Sequence, residues 1–241
     1  GNNLTTYSIN EVKEIKKQLD DNGFKLSAVG SPIGKIKITD DFEPHLELFK
    51  HTVEIANVLE TSYIRIFSFY TNEYEKYRYD VLERLTKFVE IAKNNNIILL
   101  HENEKDIYGD TPERCLDIFK SINSANLRAT FDPANFVQCS VNTLEAFELL
   151  IPYVEYMHIK DAKSESGDVV PAGQGDGNVK EILMRLNKMG YNGFLSLEPH
   201  LGQFVGAAEL EQDDKFADLP QGGPKLFGIA ADALMNLIKE M

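Results

Sequence analysis

Short apolar segments and amphipathic stretches alternate along almost all of this sequence, and each amphipathic stretch carries recognisable helix-terminus signals. Ser8-Ile9-Asn10-Glu11 is a capping box, followed by Val12, Ile15 and Leu19 on one face and by Asn22-Gly23 as the stop. Phe24 to Val29 then reads as a strand. A helix from about Glu43 to Glu60 turns Leu46, Phe49, Val53 and Ala56 inward, and Tyr63 to Phe69, rich in β-branched and aromatic residues, reads as the next strand. The rhythm continues with a helix over Tyr79 to Asn95, a strand over Ile97 to Glu102, a helix opened by Asp110-Thr111-Pro112-Glu113, and a strand over Leu127 to Asp132. Helices starting at Asn142 and Asn178 then alternate with strands over Val154 to His158 and Phe194 to Glu198, and a last helix runs from Pro224.

Strands separated by helices predict a parallel sheet, because parallel neighbours need a crossover and a helix is the usual one. A doubly wound dinucleotide fold calls for a glycine-rich turn directly after a strand. The one candidate, Gly173-Gln174-Gly175-Asp176-Gly177, lies well beyond the strand that ends at His158. A (β/α) barrel is therefore expected.

Composition narrows the function. The 241 residues are 43% hydrophobic, enough for a substantial core. Lys and Arg total 25 against 38 Asp and Glu, a net charge of −13 that repels nucleic acid and anionic membrane surfaces. Cys115 and Cys139 make no disulfide framework, no apolar run approaches the roughly 20 residues of a membrane span, and no targeting signal is visible, so a cytoplasmic setting is expected.

Four strands end alike, in His101-Glu102, Phe131-Asp132, Met157-His158 and Leu197-Glu198. In a parallel barrel all C-terminal strand ends meet on one face, so Glu102, Asp132, His158 and Glu198 are placed to converge. A lone acid after a strand is commonly an N-cap or a solvated loop residue. Four of them following apolar strands are another matter, since isolated buried acids cost several kcal/mol without a counter-ion. Three carboxylates and an imidazole suit Mn²⁺ or Mg²⁺, with Co²⁺ or Zn²⁺ possible through the histidine.

The segments HENEKDIYGDTPER (residues 101–114), TFDPANFVQC (130–139), HIKDA (158–162), PAGQGDG (171–177) and GFLSLEPHL (193–201) resemble the sugar phosphate isomerase/epimerase family of xylose isomerase-like TIM barrels. The resemblance implies a metal held by Glu102, Asp132, His158 and Glu198. It also implies Glu102 and Glu198 as the catalytic pair, one removing a proton beside a carbonyl and the other returning it, through a metal-stabilised cis-enediolate. The substrate implied is a sugar, sugar phosphate or inositol-derived ketose. Against the family pattern the first β-α-β unit is expected to be missing, so the chain reads as a single barrel domain over residues 1–241 that is incomplete at its N-terminus, with unpaired edges that favour a homodimer. A degenerate, non-catalytic metal-binding barrel is the alternative reading. An endonuclease IV-like phosphodiesterase is disfavoured by the acidic charge and by only five histidines.

Further residues are candidates for substrate contact. Asn135 is placed to hydrogen-bond substrate or a metal-bound water, or to cap the next turn. Lys160 is placed to meet a sugar hydroxyl or phosphate, the plainer reading being an exposed lysine paired with Asp161. Arg65 alternates in phase with Phe67 and Phe69 and, if inward, needs a buried partner such as Glu104 or substrate. His101 and Cys115 read as structural. Ser31 to Lys35 and the long connection from Gly202 to Gly223, with Glu209, Glu211, Asp213, Asp214 and Asp218, read as loops over the site.

Overall fold

A computed structural model describes residues 3–202 and 222–241. Six parallel strands form one curled sheet in the order β1 (Val29–Gly30), β2 (Tyr63–Ile66), β3 (Ile98–Glu102), β4 (Leu127–Phe131), β5 (Val154–Ile159) and β8 (Phe194–Leu197). Two short strands, β6 (Asp161–Ala162) and β7 (Val169–Val170), pair antiparallel in the connection that follows β5. The crossovers are helical: α1 (Ile9–Asp21), α2 (Glu43–Val58), α3 (Tyr74–Asn94), α4 (Pro112–Ile122), α5 (Pro133–Gln138), α6 (Thr143–Leu150), α7 (Val179–Lys188) and α8 (Pro224–Lys239). This is the α/β barrel-type arrangement that the alternation predicts. The long connection after β8 lies almost wholly outside the described residues.

The central strands β3 and β4 are buried almost end to end, as expected of parallel strands covered on both faces. Outside the sheet, Phe49, Phe69 and Phe88 fill the space against α2 and α3, with the Phe49 and Phe88 rings 4.6 Å apart. Inside the curl, Arg65, Leu100, Thr130, Tyr156 and His158 line a cavity of about 180 Å³. Ser27 closes one end of it through a 2.8 Å hydrogen bond between its Oγ and the Tyr156 hydroxyl.

Helix boundaries follow local chemistry closely. The Ser8 and Glu11 side chains cap α1 reciprocally, Thr111 caps α4 and Asn142 caps α6. The strands depart more from expectation. The segment expected to be a strand over 24–29 contracts to Val29–Gly30, because the Phe24 amide closes the end of α1 by donating to the Leu19 carbonyl at 2.9 Å. The strand expected to reach Phe69 stops at Ile66, since the amides of Phe67, Phe69 and Tyr70 donate to the carbonyls of Ile33, Gly34 and Ile36. That pairing fixes the loop after β1 beside the barrel mouth. Gly34 there has φ +89°, and a Cβ would lie 2.0 Å from the Phe67 carbonyl oxygen, so only glycine fits.

The same loop depends on His45, whose Nε2 accepts a 2.8 Å hydrogen bond from the Gly34 amide. Burial, helped by Arg84, pulls the His45 pKa from 6.5 down to about 4. Buried His101 is likewise lowered to about 4, first by desolvation. Between these values the unfolded chain binds protons that the folded chain refuses, so stability is full above about 6.5 and falls as the pH drops towards 4. Urea denaturation at stepped pH is expected to show that fall, with a shallower slope in His45→Gln.

Candidate metal centre

Four of the six strands each deliver one candidate ligand to the mouth. Glu102 is the last residue of β3, and Asp132 directly follows β4, where its Oδ1 caps α5 by accepting from the Asn135 amide at 2.9 Å. His158 lies near the end of β5, and Glu198 follows β8. One ligating atom from each of these four side chains lies within 4.8 Å of the others. Glu102, Asp132 and His158 are buried, and Glu198 is partly so.

Like charges so close require counter-charges. His158 Nδ1 stands 2.9 Å from Glu102 Oε1, 3.4 Å from Glu198 Oε2 and 3.7 Å from Asp132 Oδ2. Lys160 is 4% exposed, its Nζ 2.8 Å from Glu198 and 3.1 Å from Asp132. It is therefore no surface lysine paired with Asp161, because its place directly after β5 turns it into the barrel. Arg65 Nη1 bridges Glu198 at 2.9 Å and Glu102 at 3.2 Å. The sequence correctly required a buried partner for Arg65, but Glu104 pairs with Lys35 instead, at 2.9 Å.

Burial alone would raise the carboxyl pKa of Glu102, yet His158 and Arg65 outweigh it and hold the group down to about 2. Burial opposes ionisation of Glu198 too, and Lys160 followed by His158 keeps it well below the carboxylate range. The reverse balance lifts His158, where Glu102 and Glu198 overcome desolvation. Lys160 is raised in the same way by Asp132 and Glu198.

Two carboxylate oxygens, Glu102 Oε2 and Asp132 Oδ2, are buried without a hydrogen bond, although Arg65 and Lys160 lie within ion-pair range of them. Orphaned acceptors of this kind, beside an imidazole and a third carboxylate, fit a hard divalent cation. Asn135 donates from Nδ2 to Glu102 Oε1 at 3.2 Å and so orients one candidate ligand while its amide holds another.

Two supports escaped sequence reasoning. Asn103 clamps the backbone of Asp132, donating to its carbonyl at 2.9 Å and accepting from its amide at 3.0 Å. Asp161 is fully buried, and its carboxylate accepts from the amides of Ala162, Gly173, Gly175 and Gly177 at 2.8–2.9 Å. A Cβ on Gly175 would come 2.3 Å from that carboxylate, which explains the GxGxG spacing that did not suit a nucleotide. His101 is buried on the opposite face from Glu102, against Phe119, and burial pushes the Cys115 thiol up.

Removing Arg65 strands two carboxylates in a low-dielectric site. Arg65→Met is expected to cost about 3–5 kcal/mol in metal-free protein, on the order of 10 °C in Tm. Addition of Mn²⁺ is expected to recover most of that loss in thermal denaturation.

A sequence profile described as the xylose isomerase-like TIM barrel matches residues 2–217. An uncharacterized protein of Methanocaldococcus jannaschii is 28% identical over 163 residues, a stretch covering 64% of this chain and 56% of that relative, so the match spans little more than half of the relative's length. Among solved structures, D-psicose 3-epimerase crystallised in the presence of D-fructose superposes with a TM-score of 0.74 at 19% identity, covering 96% of this chain and 84% of the other. The IolI protein with a bound zinc atom gives 0.74 at 16% identity, covering 98% and 84%. At such identities the likeness is one of fold, while the profile spans most of the sequence, and the chain belongs to the xylose isomerase-like TIM barrel family.

Proposed function

We propose that this chain is a divalent-metal-dependent isomerase or epimerase acting on a sugar, sugar phosphate or inositol-derived ketose. The observation that carries the reading is the convergence of Glu102, Asp132, His158 and Glu198, with two buried carboxylate oxygens left without hydrogen bonds. Mn²⁺ or Mg²⁺ suits the three carboxylates, and Co²⁺ or Zn²⁺ is acceptable through His158. The cation supplies Lewis-acid stabilisation of the negative charge that develops on oxygen next to the reacting carbon.

The chain's own residues do the rest. Glu102 and Glu198 flank the mouth as the proton-transfer pair, one taking a proton from the carbon beside a carbonyl and the other returning it. Arg65 touches both and holds their relative position. Asn135, Lys160 and the Lys35–Glu104 pair line the cavity above and offer hydrogen bonds to substrate oxygens. The fold likeness to D-psicose 3-epimerase supports this class of reaction, and the zinc of the IolI structure supports a metal in this fold.

The reading extends to setting and assembly. Free Cys115 and Cys139 suit a reducing, cytoplasmic location, and no helix among the described residues is long and apolar enough to cross a membrane. The sheet edges at β1 and β8, with Phe24 at 64% and Phe194 at 47% exposure, favour pairing of two copies.

Calorimetric titration of metal-free protein with Mn²⁺ is expected to show binding that Glu198→Gln weakens and His158→Ala removes; undiminished binding in both variants contradicts the site. Deuterium from solvent is expected to enter a turned-over ketose, with Glu102→Gln and Glu198→Gln each slowing exchange by roughly 10²-fold or more. Light scattering is expected to give a dimer mass that persists at 0.5 M salt, since an apolar interface is insensitive to screening; a monomer at all concentrations excludes it.

A further inference from the structure

The last helix, α8, has one apolar face more than its own barrel uses. Ala230 and Leu234 are buried, and Leu237 packs beside them against the turn at Gly173. That face seats the helix. Phe227, Ala231, Met235 and Ile238 follow one another at spacings of four, four and three, which lines them up along a second face. Phe227 is 55% exposed, Met235 49% and Ile238 36%, and Met241 continues the stripe just past the helix end. Four of the eleven large hydrophobic side chains exposed among the described residues lie on this one helix, so the patch is concentrated rather than scattered.

Charge indicates what covers it. The chain carries −13 overall, yet residues 222–241 hold Lys225 and Lys239 against Asp232 and Glu240, and their side chains sum to zero. Two copies of this acidic chain therefore meet here with little repulsion. Glu240 pairs with Lys180 of α7 at 2.6 Å. Asp232 and Lys239 stand two turns apart on one flank of the stripe, and neither makes an ion pair among the described residues.

Resting on the homodimer proposed above, we infer that its contact is an antiparallel pairing of α8 with α8 of a second copy. A two-fold axis between Leu234 and Met235 sets each residue opposite the one equally far beyond the axis on the partner helix. To within two residues, about 3 Å of helix rise, Met235 then meets its own copy and small Ala231 receives the partner's Ile238. Phe227 likewise meets the partner's Met241, and Asp232 faces the partner's Lys239. Symmetry makes the last three contacts twice. Large side chains set against small ones are what interdigitating helices require. The sheet edges carry less of the contact, since β1 is two residues long and β8 four, and short edges offer few free backbone groups.

The test reads mass by sedimentation velocity over a range of concentrations of the full chain. Ile238→Asp, at an exposed position, is expected to give a monomer with an unchanged circular dichroism spectrum, and Phe194→Asp at the edge of β8 to stay dimeric. Asp232→Lys and Lys239→Asp each set like charges opposite one another twice and are expected to weaken dimerisation roughly ten-fold. The double exchange is expected to bring it back to within about three-fold of the unmodified chain. In a Cys139→Ser chain, which keeps buried Cys115 as its one thiol, Met235→Cys is expected to yield a covalent dimer on mild oxidation. Survival of the dimer in Ile238→Asp, or no covalent dimer from Met235→Cys, overturns the α8 pairing; loss of the dimer in Phe194→Asp alone moves the contact to the sheet edges and leaves the homodimer standing. A monomer of the unmodified chain at every concentration overturns the homodimer and the pairing together.

Discussion

Three carboxylates and an imidazole forced to one end of a parallel sheet are the constraint around which this structure is organised. Placing like charges within a few ångströms in a buried mouth is costly unless each finds an opposite charge or a donor. Arg65 from β2 and Lys160 directly after β5 supply that compensation from opposite sides of β3 and β4, and His158 sits at its centre. The depressed carboxyls of Glu102 and Glu198 and the elevated His158 and Lys160 are consequences of one electrostatic cluster. A cation entering such a cluster would compete with Arg65, Lys160 and His158 for the same carboxylates.

The scaffold spends backbone polarity on holding the cluster still. Asn103 fixes the main chain of Asp132, and Asn135 joins the turn after β4 to Glu102. Asp161 gathers three amides of the glycine-rich loop besides that of Ala162, which brings Gly177 against Pro133 at the start of α5. On the other side of the mouth, Gly34 and His45 lock the loop after β1 to the tail of β2, and the Phe67 ring there meets Lys35 at 4.4 Å and Arg65 at 4.9 Å. Rigid supports of this kind are what a proton-transfer site requires, because sub-ångström misplacement of a base is expensive.

Much of this was legible before any coordinates. The alternation of helix and strand, the caps at Ser8, Thr111 and Asn142, and the four strand-terminal ligand candidates are local or periodic signals, and each is carried by residues close together in the chain. The convergence of Glu102, Asp132, His158 and Glu198 follows from topology, since parallel strands present their C-terminal ends on one side. The partners of those residues were not legible. Arg65 meets Glu198 across 133 positions of sequence, and Asn103 meets Asp132 across 29.

The sequence by itself determined the class of fold, the order of the elements and the identity of the three carboxylates and the imidazole that cluster at the mouth, because period, capping and residue type act over a turn or a strand. Tertiary structure alone decided that Lys160 is a buried counter-ion, that Glu104 belongs to Lys35, and that the glycine run serves a carboxylate of the protein's own. It also decided where β1 begins and where β2 stops, through amides drawn away by the end of α1 and by the loop after β1. Electrostatic pairing and backbone hydrogen bonding depend on distances of about 3 Å between atoms whose residues lie far apart in the chain, and only the folded arrangement sets those distances.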